Sequence, residues 1–184
     1  THSPTLQQML QHVFSNVGKR IRPAIYFLTC NMLNYRGKHK LAVAVAIEYI
    51  HTASLLHDDV VDNSKVRRNK PTLQTIWGCE SAVLVGDSIY ATASELLTTT
   101  KKLDIVASFA RTIRLMSEGE LLQLEHVFDF SIKTTTYLRI LQAKTGTLLG
   151  ASCSSAGVLA GLSSKKCHIL YNFGKYLGLA FQLV

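Results

Sequence analysis

Apolar side chains recur along the chain at steps of three and four residues, the spacing of one face of an α-helix. The pattern is regular in three stretches: Leu6-Met9-Leu10-Val13, Ile105-Phe109-Ile113-Met116 and Leu138-Leu141-Thr145-Leu148-Leu149. No run of residues alternates between apolar and polar as a half-buried strand does. Proline, the strongest helix breaker, occurs only at positions 4, 23 and 71. The pattern therefore predicts an all-α protein.

These periods and the breakers between them predict long helices joined by short connections. The predicted ranges are 5–16, 20–34, 39–63, 73–100 with an interruption near Gly78, 103–127, 133–162 and 164–183. Short connections are typical of antiparallel neighbours in a bundle. No linker, repeat or low-complexity tract divides the chain, so residues 1–184 are predicted to form one domain.

The composition indicates helices whose surfaces pack largely against other protein rather than against solvent. Apolar residues make up 47% of the chain and charged residues only 17%, against about 25% in an average domain. The uncharged segment 145–164 is rich in Ser, Thr and Gly, which favours a buried bundle helix over a membrane span. The cysteines form no disulfide or zinc pattern and the first ten residues lack a secretory signal, so we expect a cytoplasmic protein.

Lys and Arg outnumber Asp and Glu by 20 to 12, which gives a formal net charge of +8 at pH 7. A basic balance indicates a partner or substrate that carries negative charge. Nucleic acid, anionic lipid and a phosphorylated small molecule would each satisfy it. The choice among them depends on where along the chain the charges lie.

The segment 48–72 contains the residues with the clearest chemical meaning. Asp58 and Asp62 are one helical turn apart and face the same way, while Asp59 lies about 100° round the helix. Like charges at that spacing destabilise a helix unless a cation binds. Carboxylates without His or Cys partners suit Mg²⁺, which keeps several waters and also takes substrate phosphate oxygens. The alternative is an acidic patch paired with the basic residues that follow it.

Two basic clusters flank this acidic motif, one upstream in residues 18–23 and one downstream in Arg67, Arg68 and Lys70. Guanidinium groups bind phosphate oxygens in pairs and Lys acts as a point charge, so a metal between such clusters is equipped to bind a diphosphate. A nucleic-acid-binding module would instead interleave its basic residues with aromatic ones. The pattern favours a small diphosphate substrate and no nucleic acid.

Residues one and two turns before Asp58 extend the predicted site. His51 falls on the same helix face as Asp58, and we expect it to donate to a phosphate rather than to be a core histidine. His57 points elsewhere and is predicted to be structural. Ala53 and Ser54 are small enough to leave open an apolar cavity beneath the metal, although close packing against another helix would also explain their size.

Together these motifs resemble the trans-isoprenyl diphosphate synthases, the head-to-tail prenyltransferases. The matching segments are GKRIRP at 18–23, HTASLLHDDVVD at 51–62, RR at 67–68, GD at 86–87, EGELLQL at 118–124, KT at 144–145 and GLAFQL at 178–183. The resemblance covers nearly the whole chain and extends most closely to the bacterial octaprenyl diphosphate synthases, which make quinone side chains. It implies an isoprenoid synthase-type helical bundle around a central active-site cavity, and a homodimer.

The resemblance also implies roles for individual residues. Isopentenyl diphosphate would be held by Lys19, Arg22, His51 and Arg68. The allylic diphosphate would contact Arg67 and the Mg²⁺ bound by Asp58 and Asp62, with Asp59 supporting them. The reacting centre would be lined by Lys144, Thr145 and Gln182, and the small residues Ala53 and Ser54 are similar to the pattern of long-chain synthases.

The implied reaction is the condensation of isopentenyl diphosphate with an allylic diphosphate, which gives a long product that partitions into membranes. The enzyme itself is expected to have no transmembrane segment. A shorter-chain synthase for farnesyl or geranylgeranyl diphosphate, a non-catalytic subunit of a heteromeric synthase and a terpene cyclase are the alternatives. The GKRIRP and His51 cluster argues against the cyclase, because a cyclase needs no second diphosphate site.

The sequence departs from the family pattern in two places. The family continues after FQL with a second aspartate-rich motif, whereas this sequence stops at Val184 within an apolar helical pattern. We therefore expect a chain that is truncated before that motif and inactive as it stands. Val17 occupies a position where relatives usually have glycine. The valine would stiffen the loop that binds phosphate.

Overall fold

Helices dominate the computed structural model, which describes residues 3–15 and 18–183. The long helices are α1 (Pro4–Ser15), α2 (Ile21–Met32), α3 (Lys40–Val61), α5 (Cys79–Thr98), α6 (Leu103–Glu125), α8 (Thr147–Leu159) and α9 (Ser164–Leu183). The shorter elements are β1 (Val66–Arg67), β2 (Lys70–Pro71), α4 (Leu73–Trp77) and α7 (Thr134–Leu141). The prediction of an all-α bundle is confirmed. The predicted effect of Val17 falls outside the described residues.

The predicted helix 133–162 is interrupted by a π-helical turn, Gln142–Gly146, between α7 and α8. A π-helical turn inserts one extra residue into the helical path and changes the direction in which the following side chains face. The backbone is packed tightly here, since a Cβ at Gly146 would lie 2.8 Å from the carbonyl oxygen of Lys175 in α9. Lys144, which belongs to this turn, reaches α6.

A two-stranded antiparallel ribbon follows α3, where the sequence pattern predicts no strand. Arg67 in β1 pairs with Lys70 in β2. Arg68 and Asn69 between them have positive φ angles of 53° and 62°, as both central residues of a type I′ hairpin turn require. The ribbon therefore places Arg67 at the end of β1 and Arg68 in the tight turn that follows it, beside the C-terminal end of α3.

The core forms where α8 packs between α2, α6 and α9, and where α3 packs along α5. Nearly all of α8 is buried, as the uncharged segment 145–164 predicts. Glycine permits the approach of α9, because a Cβ at Gly150 would lie 2.9 Å from the carbonyl oxygen of Tyr171. In the described part of the chain, no helix combines the length and apolar character needed to cross a membrane.

The antiparallel helices give the bundle two distinct ends. The acidic-motif end contains the N-terminus of α2 and the C-termini of α3, α6 and α9. The opposite end, called here the three-turn end, contains the connections 33–39, 99–102 and 160–163. A core cluster at the three-turn end joins the elements that these connections link, and it includes Cys30, Val43, Leu97, Ile105 and Ala156.

Candidate active site

A cavity of about 580 Å³ opens between the C-terminal halves of α3 and α6. From α3 it is lined by His51, Ser54 and Asp58, which are three and four residues apart and so share one helix face. Apolar side chains such as Met116 and Leu141 line the rest of the wall. The cavity therefore combines a carboxylate with an apolar lining, as a substrate with a charged head and a hydrocarbon chain requires.

Ala53 does not border this cavity, contrary to the expectation from its small size. It is fully buried in a core cluster with Val85 and Ile89 of α5. Five residues separate Ala53 from Asp58, about 140° round the helix, so the two side chains point to different sides. Ser54 lies at the cavity wall, and its Oγ donates to the carbonyl oxygen of His51 at 2.8 Å.

Asp59 is paired with an arginine and does not line the cavity. The residue is 4% exposed, and its Oδ1 accepts hydrogen bonds from Nε and Nη2 of Arg67 at 2.8 and 2.7 Å. The hydrogen bond to Asp59 raises the pKa of Arg67, so the guanidinium stays charged. The ribbon thus holds Arg67 against Asp59, beside the cavity that contains Asp58.

Asp58 shares the cavity with Glu120 of α6. Burial and the charge of Glu120 raise the pKa of Asp58 to about 6, with a smaller contribution from Asp62. Asp62 is exposed directly after α3, and its backbone N–H donates to the carbonyl oxygen of Asp58 at 2.8 Å. Glu120 has no role among the sequence predictions, although the EGELLQL motif contains it. Carboxylates are crowded here, as at a site that binds a cation.

Lys144 extends from the π-helical turn towards α6. Its Nζ lies 2.7 Å from Oε2 of Glu120 and donates to Oε1 of Gln123 at 3.0 Å. Thr145 and Gln182 line the same cavity. The three residues expected at the reacting centre are therefore brought together with the acidic motif, and Glu120 and Gln123 fix the position of the lysine.

The carboxylates fit a hydrated metal ion better than an enclosed one. Within residues 3–15 and 18–183, no three His, Cys, Asp or Glu side chains converge closely enough to hold a metal by themselves. Mg²⁺ is commonly bound by one or two carboxylates together with waters and substrate phosphates. Asp58 in the cavity wall and Asp62, exposed directly after α3, would provide that kind of open oxygen donor set.

A second cavity, of about 670 Å³, lies between the N-terminus of α2 and the middle of α3. The residues expected to hold isopentenyl diphosphate all line it: Lys19, Arg22, His51 and Arg68. Arg20 and Glu48 complete its polar wall, while Leu149, Leu177 and Phe181 make the remainder apolar. Cationic side chains from two distant segments are thus concentrated around one space large enough for a small diphosphate.

Arg22 and His51 form the polar contact at the back of this cavity. Nη1 of Arg22 lies 2.9 Å from Nε2 of His51. Burial and the charge of Arg22 lower the pKa of His51 to about 3, so the imidazole is neutral, accepts at Nε2 and carries its proton at Nδ1. Nε of Arg22 is buried without a hydrogen-bond partner in the described part of the protein. An unpaired cationic donor of this kind favours an anionic ligand.

Gly18 determines where Arg68 can lie. A Cβ at position 18 would approach both Nη atoms of Arg68 to 2.6 Å. Arg20, two residues later, has a φ of 49° in the left-handed region, so the chain bends sharply before α2 begins. The guanidinium of Arg68 therefore rests on the backbone of this loop, which connects the two basic clusters.

The two cavities share a wall formed by Arg22, His51 and Thr145. One cavity is rich in cationic groups and the other contains carboxylates. His57 borders the cavity that contains Asp58, but it packs against α5, where its Nε2 lies 3.2 Å from the carbonyl oxygen of Val83 and 3.5 Å from Asp87. This placement agrees with the structural role expected for His57.

Removing the charge of Asp58 or of the adjacent Asp59 should change the melting temperature in opposite directions. Asp58→Asn should raise the melting temperature of the metal-free protein by about 2–4 °C at pH 7.5, because the buried charge costs about 1 kcal/mol after solvent screening. The pKa of Asp58 is raised to about 6 from 3.8, so the cost is present above pH 6. The difference from wild type should disappear as the pH falls towards about 4.

Asp59→Asn is the matched control, and it should lower the melting temperature, because loss of the paired carboxylate costs about 3 kcal/mol. Circular dichroism melts of both variants at several pH values provide the measurement. A stabilising Asp59→Asn or a destabilising Asp58→Asn would contradict the arrangement described above.

The comparisons with known proteins agree with this geometry. The polyprenyl synthetase family matches residues 3–184. Octaprenyl diphosphate synthase of Escherichia coli (strain K12) is 40% identical over 179 residues, which are 97% of this chain and 55% of the relative. Solanesyl-diphosphate synthase 2 of Oryza sativa subsp. japonica is 35% identical over 189 residues, covering 99% of this chain and 47% of the relative.

Solved structures show the same architecture. The structure of a polyprenyl synthase from Caulobacter crescentus CB15, complexed with calcium and isoprenyl diphosphate, matches with a TM-score of 0.95 and 39% identity over 100% of this chain and 56% of the other. A decaprenyl diphosphate synthase from Rhodobacter capsulatus gives a TM-score of 0.94 at 35% identity, over 98% of this chain and 56% of the other. The chain spans about half the length of the relatives it matches. By sequence and by fold, the chain belongs to the polyprenyl synthetase family.

Proposed function

We propose that the protein takes part in the Mg²⁺-dependent, head-to-tail condensation of isopentenyl diphosphate with an allylic diphosphate, as a trans-polyprenyl diphosphate synthase. The observation that carries the proposal is the pair of adjacent cavities, one basic and one acidic, separated by Arg22, His51 and Thr145. A reaction between two diphosphates needs two sites for charged groups and a common boundary where the hydrocarbon ends meet.

The basic cavity binds isopentenyl diphosphate in this proposal. Lys19 and Arg68 lie at the exposed rim, where they attract the anion, and Arg22 is half-buried at the back with its Nε fully covered. Bound phosphate oxygens would satisfy the unpaired Nε of Arg22. His51, neutral and accepting from Arg22, offers its Nδ1 proton as a hydrogen-bond donor and has no free lone pair to act as a base.

The acidic cavity binds the allylic diphosphate. Asp58 and Asp62 would hold Mg²⁺, which when bound offsets the negative charge of the diphosphate as it leaves. Lys144 provides a fixed positive charge beside them, oriented by Glu120 and Gln123. The apolar wall takes the hydrocarbon chain. Asp59 has a positioning role, because it holds Arg67 at the edge of this site.

The reaction needs no protein nucleophile. The bond between the allylic carbon and the diphosphate oxygen breaks, and its electron pair leaves with the diphosphate. The double bond of isopentenyl diphosphate supplies the electron pair of the new carbon–carbon bond. The proton lost from the adjacent carbon goes to the departing diphosphate. Thr145 lies at the boundary of the two cavities, where these bonds change.

The product is proposed to be a long all-trans chain of octaprenyl type that serves as a quinone side chain. The similarity to octaprenyl and solanesyl diphosphate synthases supports a long product, as does the small residue Ser54 at the cavity wall. We further propose a cytoplasmic homodimer, with residues 1–184 belonging to one polyprenyl synthase domain. Exposed apolar side chains on α5, such as Val83 and Leu84, are consistent with coverage by a partner.

The activity can be tested by incorporation of labelled isopentenyl diphosphate in the full gene product that contains these 184 residues. Asp58→Ala should reduce incorporation with farnesyl diphosphate and Mg²⁺ by at least about a thousandfold, since binding of the cation and of the leaving group fails together. Glu125→Gln, an exposed acidic residue at the end of α6, is the control. Unchanged turnover in Asp58→Ala, or turnover of the allylic diphosphate without isopentenyl diphosphate, would refute the proposal.

The contact between Gly18 and Arg68 gives a second test. Gly18→Ala should weaken binding of isopentenyl diphosphate by about tenfold, because the new Cβ displaces the Arg68 guanidinium and removes a charge-assisted hydrogen bond. Calorimetric titration of wild type, Gly18→Ala, Arg68→Ala and the double variant provides the measurement. The double variant should bind no more weakly than Arg68→Ala alone. Additive losses would mean that Gly18 acts independently of Arg68.

Chain length can be tested at the two neighbouring small residues. Ser54→Phe should shorten the product, since an aromatic ring at the cavity wall occupies the path of the growing chain. Ala53→Phe should instead lower thermal stability, because overpacking a full core site costs about 1–3 kcal/mol. Chromatography of the dephosphorylated products and melting curves distinguish the two. An unchanged product length in Ser54→Phe would disprove this role of the cavity.

A further inference from the structure

The three-turn end carries more than half of the net positive charge of the protein. Seven basic residues lie in or next to its three connections: Arg36, Lys38, Lys40, Lys101, Lys102, Lys165 and Lys166. Among the acidic residues, only Glu95 and Asp104 lie within about one helical turn of these connections. The excess of five positive charges is more than half of the net +8 of the chain. The basic balance is therefore not explained by the two diphosphate-binding clusters.

These basic side chains are available to an external partner. All of them are exposed except Lys40, which is half-buried and donates to Asn31. In the described part of the chain, none of the seven takes part in an ion pair. A cavity that combines residues of α6, α8 and α9, including Lys102 and Ser164, confirms that the second and third connections are neighbours.

Large aliphatic side chains project from the same end. Leu103 is 80% exposed directly after Lys102, Leu41 is 67% exposed directly after Lys40, and Met32 at the end of α2 is 65% exposed. Basic residues beside exposed aliphatic ones are typical of surfaces that lie in the headgroup region of a bilayer. Tyr35, the one aromatic residue of the three connections, is half-buried. The stacking groups of a single-strand nucleic-acid site are thus missing from these connections.

We propose that the three-turn end binds the surface of an anionic lipid bilayer as a peripheral contact. The lysines and Arg36 would lie against the lipid phosphates, and Leu41 and Leu103 would enter the interface. The acidic-motif end would face away from the bilayer, because α6 separates the two ends by about 34 Å. This contact does not depend on the proposed enzymatic activity, and the two can fail separately.

The test is cosedimentation of the full gene product with large unilamellar vesicles. Binding is expected to vesicles of phosphatidylglycerol and phosphatidylcholine, to be lost on pure phosphatidylcholine, and to fall steeply as sodium chloride is raised to 0.5 M, where screening is strong. Lys165→Gln/Lys166→Gln should weaken binding by about 25-fold, since each basic residue near an anionic surface contributes about fivefold. Leu103→Ser should weaken the binding that survives at high salt.

Lys133→Gln/Arg139→Gln is the matched control, because it removes the same charge from exposed positions at the acidic-motif end. It should change vesicle binding by less than about twofold. Equal losses in the two double variants, no binding to anionic vesicles, or binding that ignores Lys165 and Lys166 would overturn the proposal. Tighter binding to duplex DNA than to vesicles at equal phosphate concentration would also overturn it and assign the surface to nucleic acid.

Discussion

The hydrogen bond between Arg22 and His51 determines the arrangement of both cavities. It joins the first turn of α2 to the middle of α3, and both residues line both cavities. A guanidinium that is partly removed from water, as Arg22 is with its Nε buried, is costly without a counter-charge. In this protein it faces a neutral imidazole, with Glu48 as the acidic group that acts on it. The positive charge is therefore left for a ligand to compensate, and the histidine holds the arginine in place without neutralising it.

Helix α3 places two consecutive aspartates in opposite electrostatic environments. Asp58 faces a cavity in which its charge is disfavoured, while Asp59 faces inward and is neutralised by Arg67. One carboxylate is thus held in a state that costs stability, and the next one stabilises the fold. Such a pair is typical of a binding site built into a scaffold that must remain rigid.

The helices and most of the site follow from the sequence because the signals are periodic. Spacings of three and four residues define each long helix, and the same spacing places His51, Ser54 and Asp58 on one face. The helical periodicity of α3 also places Ala53 on a different face from Asp58, which the small size of the alanine side chain does not reveal. The polar residues Glu120 and Gln123, three apart in α6, could have been found in the same way.

Two features of the site have no such signal. The π-helical turn at Gln142–Gly146 differs from a regular helix by a single inserted residue, which leaves the surrounding apolar pattern almost unchanged. The ribbon at Val66–Arg67 and Lys70–Pro71 is too short for alternation to appear. Both depend on tertiary contacts: the first on α6 and α9, the second on the pairing of Arg67 with Asp59.

The neutral state of His51 has a consequence for the behaviour of the whole protein in acid. Its pKa is about 3 in the fold against 6.5 in the unfolded chain, so the unfolded chain takes up this proton first and the fold loses stability as the pH falls below about 6.5. Asp58 acts with the opposite sign between pH 6 and 3.8. The effects of His51 and Asp58 on the free energy of unfolding therefore oppose each other across the mildly acidic range. Stability that does not change with pH in this range would be compatible with two groups whose pKa values are strongly shifted.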